Sequence, residues 1–492
     1  MSLFKEEQDD DFQDDSLIPC LKLMRDFPKI FFKLNFWIII LIAVQVAAII
    51  FLCLYIPSLM RVSIVLALVW LLSAFSASLL FYRRGAAEIK CVWFVIIAAL
   101  PVAGALIYLL ASIKDKPHAI LKINAENLSG ISRAANELCG TCAASYERAV
   151  YFKSGTEFLC SALSDIREAK KRVYIEFFII GRGHIFNTLL QAISEAKSNG
   201  AEIKVICDGV GSAFRINKKD VKKLENAGAE VKIFHKLKPF PHPKINIRDH
   251  RKIVAIDGKT AYTGGVNAAD EYANIDSPFG YWKDTGVCVY GEAAKIFEGA
   301  FLAMWNGFYE MDAPSSNGKT CLPFYDSPNR RAFAEELFIS EIYRANERVH
   351  ILTPYFCVSD KLHAALSFAA RRGVDVKVVI PHIPDKKYAF EVSKAFAASF
   401  DGSGARFYEY TPGFLHAKSI IFDNSVILGS YNFDLRSTRL NYECGIMFGE
   451  ELCEEVEHDF DECLALSSPL IQKVNGWKKF YRAFLRFFAP LV

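Results

Sequence analysis

Charge is scarce in this chain, and neither sign dominates. Of 492 residues only 23% are charged, with 58 Lys and Arg against 55 Asp and Glu and a formal net charge of +3. Hydrophobic residues make up 52%, and the mean hydropathy is +0.18. This composition excludes a disordered or fibrous protein and is atypical of a purely soluble enzyme. Any basic surface must therefore be confined to one part of the protein.

The chain also lacks the patterns of a disulfide framework, a metal cage or a secretion signal. Its 13 cysteines are odd in number and fall largely in apolar, strand-like runs, which indicates buried thiols. Cys139 and Cys142 form a lone CxxC without a second Cys or His pair nearby, so no zinc or redox site is expected there. The first residues are acidic, whereas a signal peptide begins with basic residues.

The hydrophobic excess is concentrated near the N-terminus. After a flexible acidic tail over 1–35, three runs of roughly 20 apolar residues are each long enough to cross a bilayer as a helix. These runs are Phe36–Ile56, Ser63–Tyr82 and Cys91–Ala111. They predict a transmembrane region over 36–112, a linker over 113–148 and a multi-pass protein of the cell membrane.

The orientation in the membrane stays open. Counts of Lys and Arg near the span ends favour an N-terminus inside and, with three full spans, a C-terminal part outside. The many thiols favour a reducing compartment for that part. A re-entrant third run, which holds Pro101 and Gly104, would reconcile the two.

From about residue 149 the pattern alternates between short β-branched or aromatic runs and helical periodicity, which is typical of parallel βαβ units. The pattern occurs twice, because HRKIVAIDGKTAYTGGVN (250–267) returns as HAKSIIFDNSVILGSYN (416–432). We therefore predict an α/β fold with two duplicated domains, over 149–320 and 321–468. A pseudo-twofold axis between them would bring residues of both into one cleft.

Each repeat carries the motif HxKxxxxD, followed by a Gly-Gly or Gly-Ser pair and an Asn. The residues are His250, Lys252, Asp257 and Asn267, and then His416, Lys418, Asp423 and Asn432. His and Lys two apart on a strand point to the same face. One imidazole per repeat suits a two-step displacement, in which one attacks and the other handles the leaving group's proton. The Lys and Asn side chains can donate to the oxygens of a phosphodiester.

The carboxylates divide into two groups. An imidazole that transfers protons needs an acceptor on its other nitrogen. Asp284 in YWKDTGV and Glu443 in LNYECGI lie at similar places downstream in the two repeats and are predicted to be these acceptors. Asp257 and Asp423 end their strands and are candidates either for a direct catalytic role or for fixing loops.

The paired motifs with their GGxN and GSxN tails resemble the phospholipase D superfamily, and the rest of the chain resembles the bacterial cardiolipin synthases. Further matching stretches are NIRDHRKIVAIDG (246–258), LTPYF (352–356) and GSYNFDLRSTRLNYE (429–443). The resemblance covers residues 36–492 and implies a covalent phosphohistidine, with no metal or other cofactor. It implies that two phosphatidylglycerols are joined into cardiolipin with release of glycerol. His250 would be the nucleophile and His416 the general acid and then base, although exchanged roles stay open.

Two positions depart from the family pattern. Asp249 stands where the family usually has Asn before the first His, and Asn424 replaces the usual Gly after the second motif. Asp249 is expected either to raise the basicity of its neighbour or to face solvent. Neither change removes a catalytic group.

Two further stretches of the sequence are suited to a lipid substrate. Between Arg215 and Lys252, twelve Lys or Arg stand against four acids, so Arg248 and Arg251 are candidates for binding anionic headgroups. The basic amphipathic tail over 469–492 suits either a helix in the membrane interface or one that packs on the domain.

Two other activities share this chemistry. A membrane-bound phospholipase D that passes the same intermediate to water, giving phosphatidic acid, would use every residue named above. A nuclease would have no use for the apolar runs, so no nucleic-acid partner is expected.

Overall fold

The computed structural model describes residues 87–111, 120–124, 130–236, 246–328, 332–470 and 475–489, together with isolated positions between 47 and 80. The predicted acidic tail and most of the first two predicted spans lie outside the described residues. The chain divides into an N-terminal unit and a larger unit that holds both repeats.

The third apolar run folds as two helices, α1 (Ala87–Ala99) and α2 (Pro101–Ala111). The break precedes Pro101, whose ring disfavours a helical backbone at the preceding residue. The rings of Trp93 and Tyr108 lie 5.3 Å apart, and a Cβ on Gly104 would lie 2.6 Å from a carbonyl oxygen of α1. The run is therefore not the single helix that its length predicted. Across the described residues, no helix is both long and apolar enough to cross a membrane.

The first repeat is built on a seven-stranded mixed sheet in the order β3-β11-β9-β8-β4-β5-β6. The elements up to its end are β1 (Ile120–Asn124), α3 (Gly130–Cys139), β2 (Ala144–Ser145), β3 (Arg148–Phe152), α4 (Gly155–Glu168), β4 (Arg172–Phe177), α5 (His184–Ser198), β5 (Glu202–Asp208), α6 (Lys218–Asn226), β6 (Glu230–Phe234), β7 (Arg248–Asp249), β8 (Lys252–Ile256), β9 (Thr260–Gly264), β10 (Tyr281–Lys283), β11 (Gly286–Tyr290) and α7 (Glu292–Asn306). Within this sheet only β4, β5 and β6 are parallel neighbours, whereas β8 runs antiparallel to β4. The expectation of parallel βαβ units is therefore wrong for β8, β9 and β11. The short turn between β8 and β9 can join only antiparallel strands, and β11 runs antiparallel to both β9 and β3.

The second repeat has a ten-stranded sheet that includes β13-β22-β20-β19-β14-β16-β17. Its elements, with those that flank it, are β12 (Phe308–Asp312), β13 (Thr320–Asp326), α8 (Phe333–Arg344), β14 (Arg348–Leu352), β15 (Phe356–Cys357), α9 (Asp360–Arg371), β16 (Asp375–Pro381), α10 (Lys387–Ala398), β17 (Arg406–Tyr410), β18 (Gly413–Leu415), β19 (Ser419–Phe422), β20 (Ser425–Gly429), β21 (Phe433–Asp434), α11 (Leu435–Arg439), β22 (Asn441–Phe448), α12 (Cys453–Ala465), β23 (Ser467–Pro469) and α13 (Gly476–Phe488). These seven strands repeat the order of the first sheet strand for strand. The architecture is therefore the duplicated α/β fold that the sequence repeat predicts.

The two sheets share one hydrophobic core. Val287 of β11, Ile446 of β22 and Phe301 of α7 are all buried in it. A second core lies under α4 and α5 on the first sheet, and a third under α8, α9 and α10 on the second. Interiors packed from both sides deform little, so the central core fixes the spacing between the motif strands.

The stretch 113–148, expected to be a linker, contributes to the larger unit. β1 pairs in parallel with β12, and Leu121 and Ile123 are buried. The alternation of apolar and polar residues in ILKIN (120–124) is the pattern of a half-buried strand, so this element was readable from the sequence.

Candidate active site

Backbone pairing between the repeats holds each motif histidine. β7, just before His250, pairs with β22 of the second repeat, and the His250 N–H donates to the Tyr442 carbonyl at 2.9 Å. β18, just before His416, pairs with β10 of the first repeat, and the His416 N–H donates to the Lys283 carbonyl at 2.7 Å. These reciprocal pairings bring the two motifs together, since the lysine of each motif also acts electrostatically on the histidine of the other. We call the site that the two motifs form the cleft.

The histidines bind carboxylates in a crossed arrangement. Nδ1 of His250 lies 2.9 and 3.0 Å from the two oxygens of Glu443, which belongs to the second repeat. Nδ1 of His416 lies 2.6 Å from Oδ2 of Asp284, which belongs to the first. The structure thus places both predicted carboxylates against the histidines, each serving the other repeat. With Nδ1 of His250 held by Glu443, its Nε2 is left for chemistry, whereas Nε2 of His416 also lies within hydrogen-bond distance of Lys418 Nζ.

The two carboxylates are themselves fixed. Glu443 accepts hydrogen bonds from Ser430 Oγ and, at 3.1 Å, from Asn441 Nδ2. Asp284 accepts from the N–H of the next residue at 2.9 Å, and a Cβ on Gly265 would lie 2.0 Å from its Oδ1. The GGxN tail therefore needs its second glycine for room, whereas Ser430 at the same place in the GSxN tail donates to Glu443.

The pKa values of the two carboxylates are shifted in opposite directions. Burial raises the pKa of Glu443 to about 7, although the Lys252 ammonium opposes this shift. Despite equal burial, His416 and Lys418 hold the pKa of Asp284 below its ordinary value. Asp284 is therefore ionised at neutral pH and suited to stabilise a protonated His416.

Both motif lysines are buried beside their histidines. Nζ of Lys418 lies 3.0 Å from Nδ1 and 3.2 Å from Nε2 of His416, and Nζ of Lys252 donates to the His250 carbonyl. Burial lowers the pKa of Lys252 to about 8 and that of Lys418 to about 7. Because an anion between two such groups favours their charged forms, the cleft is built to receive one.

The histidines are neutral in the free protein. Burial and Lys418 lower the pKa of His416 to about 4, against the opposing effect of Asp284. Burial also lowers the pKa of His250 well below its ordinary value, and nearby cations lower it further. These cations are Lys252, Lys418, Arg436 and Lys386. His250 therefore carries a free lone pair, which a nucleophile requires.

Aromatic rings wall the cleft, and the sequence did not single them out. Phe178 packs on His250 with ring centroids 5.0 Å apart. The centroids of Tyr272, Trp282 and Phe414 lie 5.4, 5.2 and 5.7 Å from that of His416. Position along the chain was a signal for three of them, because Trp282 and Phe414 lie two residues before Asp284 and His416, and Tyr272 lies five residues after Asn267. Phe178 is far from either motif in the sequence.

The two motif asparagines lie just after β9 and β20. Asn267 accepts a hydrogen bond from the Ile179 N–H at 3.0 Å, and the Asn432 N–H donates to Ser437 Oγ at 3.2 Å. Both are buried. They occupy the same end of their sheets as the lysines, as the repeated pattern predicts.

The motif aspartates do not reach the histidines. Asp257 lies at the far end of β8, about 16 Å of extended chain from Lys252. Its carboxylate accepts from the N–H groups of residues 170–172 at 3.0, 2.8 and 2.8 Å. Asp423 accepts from those of residues 346–348 at 2.8, 2.9 and 2.9 Å. These contacts correct the catalytic expectation and support the alternative, because both carboxylates are occupied in fixing loops.

Replacing Asp257 by Asn is expected to lower stability by about 1–3 kcal/mol without changing kcat. Asparagine tolerates the φ of 54° at this turn but loses the charge that strengthens three hydrogen bonds. The three N–H groups hold the pKa of Asp257 below its ordinary value despite partial burial, so its contribution is present above pH of about 4 and is lost as pH falls through the folded-state pKa.

Chemical unfolding of the detergent-solubilised chain at pH 7 and pH 3, with turnover at pH 7, tests this. Asp401→Asn, at an exposed turn, is the control and should leave both quantities unchanged. A loss of turnover with undiminished stability would return Asp257 to the catalytic residues.

Arg251 faces away from the cleft. It lies between His250 and Lys252, and successive residues of an extended chain point to opposite faces. Its guanidinium is fully buried, 2.6 Å from Glu176 and 3.3 Å from Asp249. The expectation that Arg251 binds substrate is therefore wrong, and Asp249 pairs with it instead of facing solvent or the histidine.

Arg248 is likewise turned inward, 3.2 Å from Asp208, so its predicted substrate contact is also corrected. Two other cations, Arg436 and Lys386, act on His250 instead. Arg436 donates to the side chain and the carbonyl of Asn246 at 3.0 and 2.9 Å, and together with Lys386 it lowers the pKa of His250. Sequence reasoning missed both, since they lie far from the first motif along the chain.

A family model described as a cardiolipin synthase, phospholipase D-like domain matches residues 162–305 and 338–464, which is more than half of the chain. An uncharacterized protein of Streptococcus mutans is 34% identical over 366 residues, covering 70% of this chain and 78% of that protein. A cardiolipin synthase of Clostridium perfringens is 32% identical over 371 residues, covering 70% and 76%. One of Staphylococcus aureus is 26% identical over 466 residues, covering 85% and 94%.

Among solved structures, the phosphatidylserine synthase of Haemophilus influenzae matches with a TM-score of 0.55 at 16% identity. The match covers 73% of this chain and 97% of that one. At this identity the likeness concerns the fold alone.

Proposed function

Because this chain belongs to the family of cardiolipin synthases with phospholipase D-like domains, we propose that it makes cardiolipin from two phosphatidylglycerols and releases glycerol. It is a phosphatidyltransferase. The observation that carries the proposal is the crossed site, in which two histidines, each bound to a carboxylate of the other repeat, share a cleft with two lysines. These residues supply a nucleophile, a group that donates and accepts a proton, and two ammonium groups that can bind an anion.

In the first half reaction, Nε2 of His250 attacks the phosphorus of one phosphatidylglycerol, and the bond from phosphorus to the terminal glycerol oxygen breaks. His416 gives its proton to that oxygen, so glycerol leaves uncharged and the phosphatidyl group stays on His250. Lys252 and Lys418 stabilise the charge on the phosphoryl oxygens.

In the second half reaction, the primary hydroxyl of another phosphatidylglycerol attacks the phosphorus. His416, now neutral, takes the hydroxyl proton while the nitrogen–phosphorus bond breaks. Cardiolipin forms, His250 regains its lone pair, and His416 is protonated for the next cycle.

The electrostatics support this division of roles. His416 has to carry a proton, and the ionised Asp284 at 2.6 Å stabilises that form. A phosphodiester anion between the lysines offsets their charge and so raises the pKa of His416 on binding. His250, which has more cations around it, is favoured to stay neutral and attack.

The walls of the cleft support transfer over hydrolysis. Tyr272, Trp282 and Phe414 pack around His416, which would activate the incoming nucleophile. Apolar rings there disfavour a bound water and suit a lipid acceptor.

We place the enzyme in the cell membrane, anchored as a multi-pass protein through residues 36–112, with the two repeats related by a pseudo-twofold axis. The apolar runs and the lipid substrate support the anchor. The reciprocal pairings β7 with β22 and β18 with β10 support the axis. No metal, other cofactor or nucleic acid takes part.

Full-length protein in phosphatidylglycerol liposomes labelled in the terminal glycerol is expected to release glycerol and cardiolipin in equal amounts. Thin-layer and mass analysis of the lipids measures both. Liposomes with His416→Ala give the background. Phosphatidic acid as the main lipid product would overturn transfer and assign a hydrolase.

A further inference from the structure

The C-terminal helix α13 turns three of its four cations toward the protein. Arg482 is buried and its Nε lies 2.8 Å from Glu391 of α10, while Nζ of Lys478 lies 3.4 Å from the same carboxylate. The guanidinium of Arg486 lies 5.0 Å from the ring centroid of Phe396, also on α10. Leu485 packs on the core beneath. This face of α13 is therefore the one that packs on α10 and the core beneath it.

The opposite face of α13 is aromatic and exposed. Its exposed fractions are 77% for Trp477, 63% for Phe480, 42% for Tyr481, 53% for Phe484 and 37% for Phe487. At three- and four-residue spacing, these side chains form one stripe along the helix. A surface helix in water normally shows the reverse arrangement, with its apolar side inward.

Three occupants could cover such a stripe: a bilayer, the predicted spans of this chain, or a second copy. The helix itself favours the bilayer. It holds four Lys and Arg and no acid, and only Glu391 is available as their carboxylate partner in the contacts described for α13. Trp and Tyr, which have an apolar body and a polar tip, are the rings enriched where water meets lipid.

We infer that the aromatic face of α13 lies on an anionic bilayer surface, with the exposed Lys479 at the level of the lipid headgroups. This goes beyond the proposed function and rests on it in one respect, since that function places an anionic substrate in a bilayer. Aromatic insertion joined to electrostatic attraction is the binding mode of interfacial helices.

The helix beneath α13 connects this surface to the cleft. α10 begins directly after Lys386, one of the cations that act on His250. Just before it, Asp385 accepts a hydrogen bond from Tyr355, whose ring lies 6.4 Å from that of Phe414 beside His416. A bilayer under α13 would therefore lie next to the α10 side of the active-site cleft.

The test uses full-length protein in proteoliposomes and the emission of Trp477. The difference between the wild-type spectrum and that of Trp477→Phe isolates this residue among six tryptophans. Liposomes of phosphatidylcholine and phosphatidylglycerol carry bromine high on the acyl chains, and acrylamide serves as the quencher in water. We expect brominated lipid to remove most of the Trp477 emission and acrylamide to remove little.

A matched probe elsewhere controls for chance encounters with lipid. Phe368→Trp, made in the Trp477→Phe background, places a tryptophan at a 51% exposed position on α9 and should be quenched by acrylamide alone. Replacing phosphatidylglycerol by phosphatidylcholine should reduce the lipid quenching of Trp477. Undiminished quenching there would overturn the anionic part of the inference.

Two results would overturn the inference as a whole. Strong quenching by acrylamide without lipid quenching would mean that the stripe faces water, and quenching by neither would mean that protein covers it. Because the fluorescence does not depend on turnover, failure of this inference is distinguishable from failure of the proposed reaction.

Discussion

Alanine in place of either His250 or His416 is expected to lower phosphatidyl transfer by at least about 10⁴-fold, although the two residues belong to different repeats. In the proposed mechanism one ring forms the bond to phosphorus and the other moves the proton, so neither half reaction would proceed without both. The double variant should be hardly worse than either single one, because groups that act as a unit are not additive.

Turnover of both variants on phosphatidylglycerol liposomes measures the effect. His458→Ala, at an exposed histidine on α12, is the control and should keep full activity. A chelator should change nothing, since neither motif resembles a set of metal ligands. Half of the wild-type rate in either single variant would mean two independent sites, which the crossed carboxylates argue against.

The placement of the motif residues was predictable because it depends on local periodicity. His250 and Lys252 share a face since strands alternate every two residues, and the same rule holds for His416 and Lys418. For these pairs the governing interaction lies within a few residues of the signal. The duplication into two domains was predictable for another reason, because long sequence echoes indicate two equivalent domains.

Two features of the site were not predicted: which histidine each carboxylate binds, and the direction in which Arg251 points. Nothing near Asp284 shows that it serves His416 rather than the histidine of its own repeat, because that contact depends on β10 pairing with β18 across the duplication. Long-range pairing decides this contact, and one sequence does not display it. Arg251 looked like a headgroup ligand by composition, although the alternation that puts His250 and Lys252 on one face already turns it to the other face, toward Glu176.

Asp257 illustrates a further limit of predicting function from a sequence motif. A motif is recognised because the same residues recur in both repeats. Residues can recur either because the chemistry needs them or because the fold needs them. In the proposed mechanism the His and Lys recur because the reaction needs them. The Asp recurs because a turn at positive φ needs an acceptor for three N–H groups, as the identical arrangement at Asp423 shows.

The crossed carboxylates lead to a prediction that separates the roles of the two histidines. Asp284→Asn and Glu443→Gln preserve shape but remove charge, and each is expected to lower turnover roughly 10²- to 10⁴-fold. The cause differs between them. The first weakens proton transfer by His416, and the second weakens the orientation of His250.

A substrate that needs no proton on its leaving group separates these causes. With a phosphatidyl ester of p-nitrophenol, Asp284→Asn is expected to regain a rapid burst of nitrophenolate and to accumulate labelled His250, because the leaving group departs as an anion. Glu443→Gln should show no such rescue, since attack by His250 is still impaired. Asp276→Asn, at an exposed carboxylate of the same repeat, should behave as wild type with both substrates.

The pattern of rescue reports on the crossing itself. If each carboxylate served the histidine of its own repeat, Glu443→Gln would be rescued and Asp284→Asn would not. If the histidines exchanged roles while the contacts stayed crossed, the rescue would also reverse, but the label would then accumulate on His416. Peptide mapping of the trapped intermediate distinguishes these two cases, so burst amplitude and labelled residue together fix both the pairing and the nucleophile.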